Sequence, residues 1–302
     1  MRLFLLPVST RRTLIYCERV QQQLAPGEKP PLSERIIAKA TETWAGWERA
    51  EKGWQKQLTV QGNRLFKRIP YEEWGLKTIP SASKQRLEDA DSGKLKFECL
   101  YPRAFMKEER VPGILKALAT ERQGLHRKRL WNSIVGMPIT IPFAAIPVIP
   151  NIPFFYLCFR AYSHYRALYG GKLLEHLMSK NLVAITPSAE LDEMYTAGLL
   201  HPHRSASREA PYPGPAETEQ VSRVVEAQTN NGKEDVMLLQ RWNGKLIAER
   251  FHLPEMEVEI ERAVEQVESA IEKEKSELHD EKKEIMEAMA QKTDVKNPDI
   301  RR

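Results

Sequence analysis

An uncharged stretch punctuated by prolines constrains this chain more than any other feature. Residues 130–159 carry no formal charge, and about twenty apolar residues suffice for a transmembrane helix. Five prolines fall within the stretch, and a proline in a helix interior removes a backbone hydrogen bond and kinks the helix. We therefore predict two shorter helical pieces, 131–146 and 154–164, joined by a turn at 150–153.

Each piece is near or below the length of a full crossing, which favours a re-entrant or shallow membrane hairpin over a single kinked span. Basic residues on both sides favour both ends facing the same compartment. A buried hydrophobic hairpin in a soluble core is the alternative. The predicted hairpin residues are Pro138, Pro142, Pro147, Pro150, Asn151 and Pro153, and the predicted membrane-flanking residues are Arg127, Lys128, Arg129, Arg160, His164 and Arg166.

The N-terminal segment supports two interpretations, which are compatible if the segment is not cleaved. Residues 1–17 contain arginines and hydroxyl side chains but no acid, which is typical of a mitochondrial targeting segment. The apolar run 3–8 also predicts a strand over 2–8, and the alternating pattern of 94–101 predicts a second strand with which it can pair.

A long acidic helix is predicted after Pro254. Its apolar residues recur at spacings of three, four and seven, as in a coiled coil, although Glu274 and Glu281 interrupt the seam. A coiled-coil arm that recruits a partner, a solvated helix and a helix docked on its own chain all remain open. The predicted partner-helix residues are Ile260, Val264, Val267, Ile271, Leu278 and Ile285.

The overall composition does not show how unevenly the apolar and charged residues are distributed along the chain. The mean hydropathy is -0.51 and the net charge is +5, although the apolar residues concentrate in one block. The predicted fold class is mainly α: amphipathic helices with a small N-terminal β element, a Pro-rich membrane hairpin and a long C-terminal helix. The predicted divisions are 1–125 (mixed α/β), 126–180 (membrane hairpin), 181–253 (helices with a 201–217 linker), 254–293 (acidic helical arm) and 294–302 (disordered tail).

The motifs argue against an enzyme. The sequence contains no Gly-rich phosphate loop, nucleophile elbow or metal-ligand spacing, and the acidic pair Glu72–Glu73 is expected to be solvated. No Asp, Glu, Lys, Arg or His lies inside the uncharged block, which argues against an ion pathway there. We predict no catalytic residue, no cofactor, no metal site and no nucleic-acid partner.

Three motifs resemble a known family. Residues 1–12 (MRLFLLPVSTRR), 69–76 (IPYEEWGL) and 146–156 (IPVIPNIPFFY), the last followed by RAYSHYR at 160–166, are similar to the fungal mitochondrial K+/H+ exchange-related family. The resemblance implies an inner-membrane protein associated with potassium–proton exchange, and it supplies no catalytic residues.

The resulting hypothesis is an accessory or assembly component of a mitochondrial inner-membrane K+/H+ exchange system that supports K+ and volume homeostasis. Its expected partners are membrane lipids and a protein of the exchange complex, with oligomerisation possible through the C-terminal helix. The alternative is a membrane-attached scaffold that organises partners through that helix without a transport role.

Overall fold

The computed structural model describes residues 1–18, 32–142, 151–201, 203, 210–230 and 232–296. Pro147 and Pro150 of the predicted hairpin lie outside these residues, as do part of the predicted linker and most of the predicted tail. Within the described residues the chain is mostly helical and contains one four-stranded sheet.

The sheet has the strand order β2-β1-β3-β4. β1 is antiparallel to β2 and parallel to β3, and β3 is parallel to β4. The predicted pairing of the N-terminal strand with 94–101 is confirmed, with Leu3 opposite Cys99. The strands are β1 (Arg2–Pro7), β2 (Thr13–Cys17), β3 (Phe97–Tyr101) and β4 (Val183–Pro187).

Helices account for most of the rest of the described chain. They are α1 (Leu32–Glu48), α2 (Trp54–Lys67), α3 (Tyr71–Thr78), α4 (Lys84–Asp91), α5 (Val111–Thr120), α6 (Gln123–Thr140), α7 (Ile152–Ser179), α8 (Ala189–Leu200), α9 (Pro215–Gln228), α10 (Asn243–Phe251) and α11 (Pro254–Lys296). A short 3-10 turn, Glu108–Arg110, precedes α5.

The sheet is covered by helices on both faces. Successive side chains of β1 point to opposite faces, so Leu3 and Leu5 pack with α3, α5 and α7, whereas Phe4 and Leu6 pack with α8, α10 and α11. The ring of Phe4 meets that of Phe251 at 4.9 Å in an edge-to-face contact. A continuous apolar strand is expected where both faces are buried, which explains why the run 3–8 does not alternate between apolar and polar residues.

α7 approaches α3 closely along the first of these faces. A side-chain carbon at Gly170 would lie 2.3 Å from the carbonyl oxygen of Leu76 and 3.2 Å from that of Ile79. Only a residue without a side chain fits at this distance. The close contact places the middle of α7 beside α3, which positions the polar side chains described below.

A helical hairpin occupies the predicted place, but its pieces differ from the prediction. α6 and α7 run antiparallel, with His126 beside His164 and Thr140 beside Asn151. The second piece extends to Ser179 because the C-terminal half of α7 buries Leu173, Leu174 and Leu177 in the core. Of the helices in the described part of the chain, none is both long and apolar enough to cross a membrane, so the predicted membrane hairpin is not supported.

Candidate functional site

A buried polar network lies at the base of the α6–α7 hairpin. α7 contributes Arg160, Ser163 and His164, whose spacing places them on one face of the helix. α3 contributes Glu73 and α6 contributes His126, and all five side chains are buried. We call these five residues the hairpin network, because they connect both hairpin helices to α3.

Glu73 is the acceptor at the centre of the network. Arg160 Nη1 and Nη2 donate to its Oε1 and Oε2 at 2.8 and 3.2 Å, and Ser163 Oγ donates to Oε1 at 2.5 Å. Burial raises the pKa of Glu73, but the hydrogen bonds from Ser163 and Arg160 outweigh it and hold the pKa below its ordinary value. The carboxylate is therefore charged and balances the buried guanidinium.

The hydrogen bonds fix the tautomers of the two histidines. Arg160 Nη2 lies 2.9 Å from His164 Nε2, and a guanidinium can only donate, so this nitrogen accepts. The proton of neutral His164 is then on Nδ1, which faces His126 Nδ1 at 3.1 Å. His126 must consequently carry its proton on Nε2, a buried atom with no hydrogen-bond partner in the described structure.

Both imidazoles are held neutral. Burial lowers the pKa of His164 to about 4, and the neighbouring Arg160 adds to the effect while Glu73 opposes it. Burial also lowers the pKa of His126. A proton added to either ring would place a second cation beside Arg160 in a site that contains one carboxylate, so the network resists protonation.

The network contains a set of potential metal ligands. Glu73, His126 and His164 each offer a ligand atom, and these atoms lie within 4.8 Å of one another. Two histidines and a carboxylate suit a transition-metal ion. Coordination through His164 Nδ1 would, however, move the proton of that ring to Nε2, opposite the donor of Arg160. A metal-bound His164 would need a hydrogen-bond acceptor opposite Nε2, but Arg160, which can only donate, occupies that position.

Two of the predicted flanking residues lie inside the protein. Arg160 and His164 were expected at a membrane edge, but their exposed fractions are only 8% and 2%. The expectation that Glu73 is solvated is also wrong, since its exposed fraction is 1%. The sequence contains one signal for this burial: Arg160, Ser163 and His164 are spaced by three and four residues, so they share one face of α7 directly after its uncharged start.

The other predicted flanking residues lie nearer the surface. Arg127, Lys128 and Arg129 are exposed on α6. Arg166 is half-buried and donates to the carbonyl oxygen of Lys77 at 2.9 Å. The basic run 127–129 therefore remains available to an external partner.

The described hairpin prolines and Asn151 shape the helix ends. Asn151 caps α7 by accepting from the backbone N–H of Phe154 at 3.1 Å, and it donates to the carbonyl oxygen of Thr140 at 2.6 Å. Pro153 lies in the first turn of α7, where a missing N–H costs nothing. Pro138 lies inside α6, and Pro142 follows its end.

An apolar surface covers the outer part of the hairpin. Trp131, Val135 and Ile139 are spaced by four residues on α6, so they share one face. Large exposed apolar patches generally mark interaction sites in proteins. We define the hairpin face as five residues with exposed fractions of 59–72%: Trp131, Val135, Ile139, Ile141 and Phe155.

The predicted partner helix divides into two parts. The seam residues of its first half, Ile260, Val264, Val267 and Ile271, are buried against the chain's own sheet and helices. Leu278 and Ile285 are each 55% exposed. The first half of α11 therefore docks on its own chain. Of the six predicted partner-helix residues, Leu278 and Ile285 remain exposed and available to a partner.

Comparison with known proteins agrees with the motifs. The model of the family described as mitochondrial K+-H+ exchange-related matches residues 2–178, which include every residue of the hairpin network and the hairpin face. A protein of Schizosaccharomyces pombe is 33% identical over 206 residues, covering 67% of this chain and 87% of the relative.

A Saccharomyces cerevisiae protein is 26% identical over 198 residues, covering 58% of this chain and 62% of the relative, which is less than two thirds of its length. No solved structure matches. The family match spans more than half of the sequence and includes both ends of the described hairpin. The chain is therefore a member of the mitochondrial K+-H+ exchange-related family.

Proposed function

We propose that this protein is an accessory or assembly component of a mitochondrial inner-membrane K+/H+ exchange system, and that the hairpin face attaches it to the membrane. Family membership supports the link to mitochondrial potassium–proton exchange. The observation that carries the attachment is the exposed apolar surface of the hairpin beside a basic run. The chain would support K+ and volume homeostasis without a catalytic reaction of its own.

The composition of the hairpin suits a membrane surface. The basic run 127–129 is exposed about one helical turn from Trp131, and each Lys or Arg near an anionic bilayer contributes about 1 kcal/mol of attraction. Tyr156, Tyr162 and Tyr165 are also partly exposed on α7, and tyrosine favours the boundary between lipid and water. The apolar residues would then enter the lipid, and the basic run would contact the head groups.

The buried charges support an auxiliary role over ion carriage. A K+ site requires oxygen ligands and a net negative or neutral surrounding, whereas the carboxylate of Glu73 is already engaged by Arg160. The guanidinium would repel a potassium ion at this position. We therefore assign the hairpin network to holding the hairpin on the body of the protein.

A swelling assay tests the proposal. Mitochondria that lack the protein should swell more slowly in potassium acetate, and nigericin, which exchanges K+ for H+ by itself, should restore the swelling. Wild-type protein and Val224→Glu should both restore the rate, because Val224 is exposed on α9, which packs on α8. The double variant Val135→Glu/Ile139→Glu should fail to restore it.

Normal swelling in the absence of the protein would overturn the proposal. If swelling were normal without the protein, and the protein in wild-type mitochondria were nevertheless bound to the membrane, the alternative would be favoured: a scaffold that organises partners through the exposed residues 272–287 of α11. Restoration by the double glutamate variant would remove the hairpin face from the proposal while leaving the role in exchange intact.

A further inference from the structure

A cavity of about 280 Å³ lies at one end of the sheet, apart from the hairpin network. Its lining includes Pro7, which ends β1, and Phe105 and Met106, which follow β3. β1 and β3 are parallel neighbours, and ligands of α/β sheets bind outside the carboxyl ends of such strands. The cavity is thus in the position where this architecture usually places a ligand.

Four arginines from three segments line the cavity. Arg11 and Arg12 belong to the turn between β1 and β2, Arg110 follows β3, and Arg122 precedes α6. Two carboxylates, Glu72 and Glu121, also line it. The lining therefore carries four guanidinium groups against two carboxylates.

Two of the four guanidiniums are occupied by carboxylates. Arg12 pairs with Asp235 at 2.7 Å and also with Glu274. Arg122 donates to Glu72 at 2.8 Å. These contacts neutralise their charges and hold the walls of the cavity.

The other two guanidiniums have no carboxylate partner among the residues that the structure describes. Arg11 donates to the carbonyl oxygens of Gly232 and Lys233 at 2.5 and 2.8 Å, which orients the side chain without neutralising it. Arg110 is exposed, and its side chain makes no hydrogen bond or ion pair with any residue that the structure describes. Burial raises the pKa of Tyr71, so its phenol stays protonated and can donate as well.

We propose that this cavity binds a small molecule that carries a phosphate group. Guanidiniums form strong charge-assisted hydrogen bonds with phosphate oxygens, and donors from several segments suit a tetrahedral oxyanion. The volume is just below the range of roughly 300–1,000 Å³ that drug-sized ligands occupy, which fits a small ligand. The inference is independent of the proposed role in potassium–proton exchange.

Calorimetric titration of the purified full chain tests the assignment, with inorganic phosphate and glycerol 3-phosphate as the probes at constant ionic strength. Wild-type protein should bind both saturably, and glycerol should not bind. Arg110→Ala should weaken binding by roughly ten-fold or more, because a charge-assisted contact is lost. Arg103→Ala is the matched control, since Arg103 is exposed in the same loop but does not line the cavity.

The possible outcomes distinguish a specific phosphate site from non-specific attraction between the basic protein and anions. Equal weakening by Arg103→Ala and Arg110→Ala would show a non-specific effect of charge and overturn the proposal, as would the absence of saturable binding to wild-type protein. Vesicles of phosphatidylglycerol form a further arm. If Arg110→Ala abolished vesicle binding while phosphate and glycerol 3-phosphate bound neither protein, the arginines would serve a lipid head group and the small-molecule assignment would be wrong.

Discussion

Arg160 of α7 forms a two-pronged ion pair with Glu73 of α3, 87 residues earlier in the chain, and both side chains are buried. A buried guanidinium without this partner would be strongly unfavourable. The pair therefore holds the hairpin against α3, and it explains how an arginine at the border of an uncharged block lies inside the protein.

Removing one member of this pair should be costly. Glu73→Gln should lower the free energy of unfolding by about 3–5 kcal/mol, because Arg160 would remain buried without a counterion. Urea unfolding followed by circular dichroism measures the change. Glu72→Gln is the matched control: it removes a partly exposed contact with Arg122 and should cost less than about 1 kcal/mol. Equal losses in the two variants would contradict the assignment of Glu73 to the buried pair.

Acidification should destabilise the protein through His164. Its pKa is lowered to about 4 in the folded protein and is about 6.5 in an unfolded chain. The unfolded state therefore binds more protons between these values, so this contribution is complete above pH 6.5 and declines as the pH falls towards 4. The expected slope is at most about 1.4 kcal/mol per pH unit.

The measurement compares the pH dependence of unfolding in wild-type protein and His164→Gln, in which the amide oxygen can still accept from Arg160. The slope between pH 6.5 and pH 4.5 should be smaller in the variant. His176→Gln, which alters a partly exposed histidine near Asp91, serves as the control. Parallel profiles for wild-type protein and His164→Gln would show that His164 does not titrate in this window.

The hairpin face should govern binding to anionic membranes. Ile139→Glu places a charge at a position that is 72% exposed, so it should leave stability nearly unchanged but reduce co-sedimentation with anionic vesicles. Val224→Glu makes the same kind of change at another exposed position and should bind as wild-type protein does. Binding by wild-type protein should also weaken at high salt, since the basic run contributes through screened charges. Unaltered binding by Ile139→Glu would exclude this surface as the contact.

The close packing of α7 should make one glycine sensitive to substitution. Gly170→Ala would bring a methyl group within 2.3 Å of the carbonyl oxygen of Leu76, and such overpacking typically costs about 1–3 kcal/mol. Gly113→Ala in α5 meets no atom within 4 Å and should be neutral or slightly stabilising, because alanine favours a helix. Thermal unfolding of the two variants distinguishes them, and a neutral Gly170→Ala would argue against the close approach of α7 to α3.

The two halves of α11 should respond differently to truncation of apolar side chains. Ile260 is fully buried, so Ile260→Ala should cost about 2–5 kcal/mol. Leu278→Ala should change the free energy of unfolding by less than about 0.5 kcal/mol, because Leu278 is exposed. Urea unfolding provides both values, and a large loss for Leu278→Ala would indicate that the second half also packs in the protein or between copies of it.

Local sequence patterns determined several elements of this protein. The apolar run at the N-terminus predicted β1, and the alternation of 94–101 predicted its neighbour β3. Both predictions are possible because the order of apolar and polar side chains along a strand indicates which of its faces are buried. The prolines and Asn151 likewise indicated two helical pieces with a turn between them, since proline and helix-capping rules act over only a few residues.

The tertiary structure decided where the polar residues of those elements lie. Arg160 and His164 border an uncharged block, which is equally compatible with a membrane edge and with a protein interior. The deciding groups were Glu73 and His126, and the sequence gives no local sign that they meet α7. The same holds for α11: the heptad spacing specifies an apolar seam, whereas only the packed chain shows that Ile260 covers its own sheet while Leu278 remains exposed. Burial of a charge or a seam depends on partners distant in sequence, and a local pattern cannot specify them.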